Sequence, residues 1–479
     1  MNILMITSEA VPFYKTGGLA DMVTSLSRSL SSLGHNVSIY MPLYDEKNLS
    51  FSVEFIGACD IQLSHGIETV GYAKALDGDI TYYFMLHPIF GERKGVYGEN
   101  GSSYDDTLKR QTLFTKSLSG LVSLTGLQID IIHAHDWMTG LFPYCYKERY
   151  KSVFTIHNIG YKGLSNAFEA IPLSLVLDES SFETTNEGVR IINSLKSAIL
   201  NADIITTVSP TYAKEILTER FGEHLEGYLE ERKNALYGIL NGIDENIWNP
   251  EKDKHLGNLT YSKGDLHNKT VLKKKVMAEF GFSKNDKRPL VAVISRLASQ
   301  KGFYEVIENM PESALDHILK QNNCLFAVIG TGDKKIEDAF KIFDERYNNF
   351  SFKNTFSEPL SHLLEAGSDF FFMPSVYEPC GLNQMYSLKY GSVPIVNKTG
   401  GLADTVSDDK DGTEHTTGFV MNSLEREEIE NTIMRAIMCY NKDKNKYLAI
   451  QQNAMSGHFD WGQGANEYIR LYNKLINEK

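Results

Sequence analysis

Two doubly wound α/β domains facing across a cleft are the fold class this sequence predicts. Short β-rich runs alternate with helical-period segments along nearly all of its 479 residues, the pattern of parallel sheets covered by helices. A chain of this length supports two or three domains, each with a full-sized core. The alternation breaks once, beyond Trp248-Asn249-Pro250, where residues 251–269 are polar and read as a surface connector. The series therefore divides near residue 245.

The first unit is the clearest. Ile3–Thr7 is an apolar run, followed by Pro12 and the pair Gly17-Gly18. Leu19, Met22, Val23, Leu26, Leu30 and Leu33 then recur at helical spacing, and Gly34 is a natural stop. His35–Met41 resumes as a strand. Further buried strands are expected at Ile129–Ala134, Ser152–His157, Asp203–Val208 and Tyr237–Leu240, with helices over Asp106–Leu124 and Glu187–Leu200. A second series runs through Leu290–Ser295, Cys324–Ile329, Asp369–Met373 and Val393–Val396. Ligands of such sheets bind outside the carboxyl ends of the strands.

Composition narrows the partners. With 48 Lys and Arg against 61 Asp and Glu the chain carries −13, which repels phosphate backbones and anionic membranes; neither nucleic acid nor membrane is an expected partner. Any anionic small molecule needs a local basic site. No apolar run approaches the ~20 residues that span a bilayer, and the N-terminus reads as a strand rather than a targeting segment. Cys59, Cys145, Cys324, Cys380 and Cys439 are scattered, with no CxxC pair, which suits reduced thiols in the cytoplasm. No HExxH spacing appears, so no metal or other cofactor is expected.

One repeat stands out. Lys15-Thr16-Gly17-Gly18-Leu19-Ala20-Asp21 recurs letter for letter at Lys398–Asp404, each copy between a strand and a helix. A glycine pair there can be a plain turn, or it can offer backbone N–H groups at a helix N-terminus to an anion. Two copies, one per domain, favour phosphate and sugar. Neither GxGxxG nor GxxxxGKS/T is present, which disfavours nicotinamide oxidoreductases and P-loop NTPases. Arg296 and Lys301, in Ser295–Gly302, follow a strand, where two cations can hold a diphosphate and neutralise it as it leaves; the alternative is a solvated loop. Glu378, in Pro374–Leu382, can accept sugar hydroxyls or merely favour a helix start. Cys380 reads as packing rather than a nucleophile. His133-Ala134-His135-Asp136-Trp137 and Thr155–Asn158 end strands: Asp136 and His157 fit as polar groups of a cleft floor, His133 and His135 as structural. Tyr97 can offer its ring to a sugar or simply pack.

Taken together, these segments resemble the bacterial glycogen synthase and plant starch synthase family, retaining glucosyltransferases of the GT-B, two-Rossmann-domain type. The resemblance spans nearly the whole chain, and the joint occurrence of KTGGLAD, SRLxxQKG and EPCGL followed by TGGLADTV makes it specific. It implies an N-terminal acceptor-side domain over 1–245, a C-terminal donor-side domain over 246–457, and a last helix, 458–479, crossing back to the first domain. It implies that Lys15 and Gly18 lie at the nucleotide-sugar phosphates and that Arg296 and Lys301 bind the departing diphosphate. Thr399, Gly400 and Gly401 would present backbone donors, and Glu378, with Cys380, Gly381 and Leu382, would contact glucose. His157, Asp136 and Asn241 would share the sugar pocket, Phe356 would meet the nucleobase, and Tyr97 would lie on the acceptor side. Val376, Met138 and Asn383 depart from the family's commoner residues, and none of them removes a phosphate-binding cation. The implied reaction moves glucose from ADP-glucose to an α-1,4-glucan or malto-oligosaccharide without a metal. UDP-glucose or another acceptor, or a catalytically inactive glucan-binding protein, are the alternatives.

Overall fold

The computed structural model describes residues 1–64, 66–99, 102–408, 410, 412 and 414–477, which form two compact units: Met1–Gly242 with Trp461–Lys479, and Ile243–Asp460. In the first unit, nine strands share one sheet: β1 (Asn2–Ile6), β2 (Asn36–Pro42), β3 (Glu54–Leu63), β4 (Gly66–Asp77), β5 (Ile80–Leu86), β6 (Ile131–His135), β7 (Lys151–Ile156), β8 (Ile204–Thr207) and β9 (Leu236–Gly238), in the order β9-β8-β7-β6-β1-β2-β5-β4-β3. The pairs from β9 through to β5 are parallel. Only the β3–β4–β5 edge is antiparallel. The chain passes from β1 to one side of the sheet and returns to the other through β6, so the crevice for a ligand opens where β1 and β6 end.

In the second unit six strands, β10 (Leu290–Ile294), β11 (Leu325–Ile329), β12 (Phe350–Lys353), β13 (Phe370–Met373), β14 (Val393–Asn397) and β15 (Phe419–Met421), pair in the order β12-β11-β10-β13-β14-β15. All five pairings are parallel. This is the 3-2-1-4-5-6 order of a dinucleotide-type sheet, with its switch point between β10 and β13. Both faces are covered: Val291, Val293, Phe326 and Val328 enter one core and Leu290, Ala292, Leu325 and Ala327 the other. That is why these strands read as unbroken apolar runs rather than alternating ones.

The helix Gly18–Ser32 buries Leu19, Met22, Val23, Leu26 and Leu30, and Gly34, at φ 89°, ends it. Two expectations are corrected. The helix expected over Glu187–Leu200 begins only at Ser194, because Arg190–Asn193 is a strand pairing with Leu164–Asn166 and Phe182–Thr184. Ile191, Ile192, Leu195 and Ile199 mimic a helical stripe, but edge pairing takes the first two. The connector 251–269 is not wholly a surface segment: Asp253, Leu256 and Tyr261 are buried, and Leu256 and Tyr261 pack with Leu272, Ala366 and Tyr390.

Candidate active site

In the first unit the candidate residues cluster after the carboxyl ends of parallel strands: Lys15 and Gly18 after β1, Asp136 after β6, His157 after β7, Asn241 after β9. The Lys15–Gly18 turn is exposed, and Lys15 pairs with Asp21 at 2.8 Å. The 15-residue helix that follows has no side-chain cap at Gly17, so its first N–H groups lack that partner. Beneath the turn lies Glu9, which sequence reasoning missed. It is 2% exposed, its carboxylate accepts the N–H of Thr16, and the hydroxyl of Tyr97 donates to it at 3.4 Å. Burial raises its pKa, against the pull of those donors. Tyr97 also meets Ser8 Oγ at 2.7 Å and packs on Trp137, ring centroids 5.7 Å apart.

Asp136 has a left-handed φ of 57°, which turns the chain sharply after β6. Its Oδ1 accepts the N–H of His157 at 2.7 Å and that of Asn158 at 3.4 Å. Burial still pushes this carboxyl up to about 7, with Glu9's charge adding to the rise. His157 meets His135 across 3.1 Å, and burial lowers the His157 pKa to about 3. His133 and His135 are fully buried. Both ring nitrogens of His133 are occupied, one by the hydroxyl of Tyr472 at 2.7 Å and one by that of Thr155 at 2.6 Å, so His133 holds strands and helix together. Asn241 is buried, and its Oδ1 has no hydrogen-bond partner among the described residues.

The second unit brings Arg296, Lys301, Glu378 and the Thr399–Gly401 turn to the strands around the β10/β13 switch point, while Phe356 follows the edge strand β12. Arg296 follows β10, is exposed, and makes no ion pair among the described residues. Lys301 donates to Glu378 Oε2 at 2.6 Å, and Ser375 Oγ donates to the same oxygen at 2.9 Å. The loops bearing them are laced together: Val376 N–H donates to Gln300 O at 2.9 Å, and Gln300 Nε2 to Tyr377 O at 3.2 Å. Gly302 (φ 73°) permits this, since a Cβ there would stand 1.6 Å from Pro374 O. A third loop joins them, with Asn397 Nδ2 donating to Ser375 O at 2.8 Å. Thr399, Gly400 and Gly401 are buried; Thr399 N–H donates to Asn397 O and Gly401 N–H to Glu378 O, each at 3.0 Å. The glycine pair thus secures close approach, since a Cβ on Gly401 would meet Cys380 O at 2.0 Å. Cys380 is buried, as a packing residue should be, and Gly381 takes φ 71° ahead of the helix Asn383–Tyr390. Leu382 is half-buried. Phe356, beyond β12, is 79% exposed.

Asp253, His255 and His362 have ligand atoms within 4.8 Å of one another. Asp253 Oδ2 already accepts from His362 Nδ1 and from the hydroxyl of Tyr390, each at 2.7 Å, and Trp248 stacks on His362 at 3.8 Å. These contacts join the connector to the core. No described helix is long and apolar enough to cross a membrane.

Residues 2–231 match the family model of the starch synthase catalytic domain, and 278–455 that of group 1 glycosyl transferases. The chain is 40% identical to a glycogen synthase of Treponema denticola, covering 100% of this chain and 99% of that one. It is 37% identical to a glycogen synthase of Koribacter versatilis, covering 99% and 98%. Among solved structures, the catalytic domain of starch synthase IV from Arabidopsis thaliana, bound to ADP and acarbose, superposes with a TM-score of 0.88 at 30% identity over 99% of both chains. A sucrose-phosphate synthase of Thermosynechococcus elongatus shares the fold at a TM-score of 0.59 and 16% identity, covering 100% of both.

Proposed function

Given that the chain belongs to the glycogen and starch synthase family, we infer that it transfers glucose from ADP-glucose to the non-reducing 4-hydroxyl of an α-1,4-glucan with retention of configuration. The observation that carries the mechanism is that Arg296, exposed and without an ion pair among the described residues, shares the loop after β10 with Lys301, which pairs with Glu378 at the switch point of a dinucleotide-type sheet. ADP departs when the bond from glucose C1 to the β-phosphate oxygen breaks and its electron pair moves to that oxygen. The barrier falls as far as this new charge is stabilised. Arg296 offers a planar fork of donors. An ammonium has three donors, so Lys301 keeps two for phosphate while Glu378 holds one.

C1 becomes oxocarbenium-like, the acceptor 4-oxygen bonds to it on the face the diphosphate leaves, and its proton passes to the departing phosphate oxygen. Glu378 is committed to Lys301 and Ser375, which suits a contact to glucose hydroxyls better than a nucleophile. Thr399, Gly400 and Gly401 line the same loop cluster, and Phe356 is assigned to the nucleobase. Lys15 and Gly18 are assigned to the diphosphate, and Asp136, His157 and Asn241 to the sugar. Tyr97 is assigned to the acceptor. The five free cysteines, three of them buried, support action in the cytoplasm.

Incubation with labelled ADP-glucose or UDP-glucose and a malto-oligosaccharide, followed by product sizing, tests the reading. The expected result is stepwise lengthening from ADP-glucose, with the new linkages α-1,4. Absence of lengthening, or a strong preference for UDP-glucose, overturns it.

A further inference from the structure

A buried carboxylate under a turn assigned to phosphate is electrostatically adverse, in a chain that is already acidic. Glu9 nonetheless sits there, 2% exposed. Desolvating it carries a penalty that only its hydrogen bonds can offset. Those bonds point two ways. One oxygen accepts the N–H of Thr16, inside the Lys15–Gly18 turn, and Gly17's backbone also favours the charge. The other faces the hydroxyl of Tyr97.

Glu9 is fixed from behind, its N–H donating to Thr7 Oγ1 at 3.3 Å and its carbonyl accepting from that hydroxyl at 2.9 Å. Tyr97 is fixed as well: Arg110 donates to Val96 O at 2.7 Å, and the Tyr97 ring lies against Trp137. The carboxylate therefore joins two rigidly held partners and has little room to adjust to either alone.

We propose that Glu9 is a positioning residue that ties the Tyr97 hydroxyl to the Lys15–Gly18 turn, so that the acceptor and the diphosphate influence each other's binding through one buried carboxylate. This rests on the assignment of Tyr97 to the acceptor and of the turn to the diphosphate. Glu9, 2% exposed, is assigned no contact with either substrate. When a glucan hydroxyl draws on the Tyr97 hydroxyl, the carboxylate loses a donor and leans on the N–H of Thr16. When the diphosphate draws on the turn, the shift runs back to Tyr97. The coupling is reciprocal, as any linkage between two binding sites must be.

The test uses the full-length chain with two substitutions and two readouts. Glu9→Gln keeps the shape but offers one acceptor oxygen, so it can serve Thr16 or Tyr97 and not both. Titration calorimetry with ADP, with and without malto-oligosaccharide, reads the coupling directly, and steady-state kinetics reads KM for each substrate apart from kcat. Wild type should bind ADP with a Kd that changes about three- to tenfold when the oligosaccharide is added. Glu9→Gln and Tyr97→Phe should each remove most of that change, and Tyr97→Phe should shift KM for ADP-glucose as well as for the acceptor. The double variant should resemble either single one. If Glu9→Gln folds poorly, the donor KM of Tyr97→Phe decides. A donor KM unmoved by Tyr97→Phe, or additive effects in the double variant, overturns the proposal. If wild type itself fails to extend a glucan from ADP-glucose, it is the underlying assignment that fails.

Discussion

Arg296 and Lys301 carry the same charge in the proposed chemistry but differ in what the fold asks of them. Arg296 is exposed and makes no ion pair among the described residues, so Arg296→Ala should lower kcat by about 10²–10³-fold while leaving Tm unchanged in a thermal melt. Lys301 neutralises Glu378, whose side chain is 7% exposed. Lys301→Ala should therefore lower kcat and also lower Tm by about 4 °C, because a nearly buried carboxylate loses its cation. A drop in Tm for Arg296→Ala, or none for Lys301→Ala, contradicts this division. The placement of the two cations after β10 was legible in the sequence, because a cation just after an apolar strand is itself a pattern. Glu9 and Ser375 were not. Each is one polar residue after a strand, and its importance comes from partners that only the folded loops bring near: Thr16 and Tyr97 for Glu9, Glu378 for Ser375.

The repeated heptapeptide shows how little an element's letters fix its surroundings. At Gly17 a Cβ would meet nothing within 4 Å, whereas at its counterpart Gly400 it would stand 1.9 Å from Glu378 O. Gly17→Ala should leave Tm within about 1–2 °C of wild type, and Gly400→Ala should lower both Tm and kcat; equal effects in the two copies would contradict the geometry. The histidine row across β6 and β7 makes a second prediction. Burial lowers His133 and His157 to about 3 and His135 well below its ordinary value of 6.5. As pH falls through 6.5 the unfolded chain binds protons that the folded one refuses, so this part of the stability is present above 6.5 and is lost toward about 3. Asp136 has the opposite sign: between 3.8 and about 7 the folded chain holds a proton that the unfolded one releases. His35 and His87, also lowered, add to the fall, and Glu9 and Glu365, whose carboxyls burial raises, subtract from it; the histidines outnumber the carboxyls, and urea midpoints should fall between about pH 7 and about pH 5. His157→Asn should make that fall shallower; an unchanged slope contradicts the assignment. Most of the parallel strands were readable from their unbroken apolar runs, but Ile80–Leu86, Phe350–Lys353 and Phe419–Met421 were not among those expected. Arg190–Asn193 was not, because its pairing partners are set by the tertiary fold rather than by its own period.

At the scale of the whole molecule, the two-series division was visible in the alternation of strand and helix, while a last helix belonging to the first domain was implied by the family resemblance and by no periodicity of its own. The first unit closes only with Trp461–Lys479. The helix Gly462–Asn477 buries Tyr468, Leu471, Tyr472 and Leu475, and Tyr472 completes the hydrogen bonding of His133 in β6. Ending the chain at residue 460 should leave that histidine with an orphaned nitrogen and an uncovered apolar face. The first unit should then unfold at lower urea than in the full chain, with the second unit's transition unchanged. During synthesis the order is fixed by the same feature. A ribosome delivers every residue of the second unit before the final helix of the first has emerged, so the nascent amino-terminal sheet must wait, incompletely covered, until Gly462–Asn477 has been made.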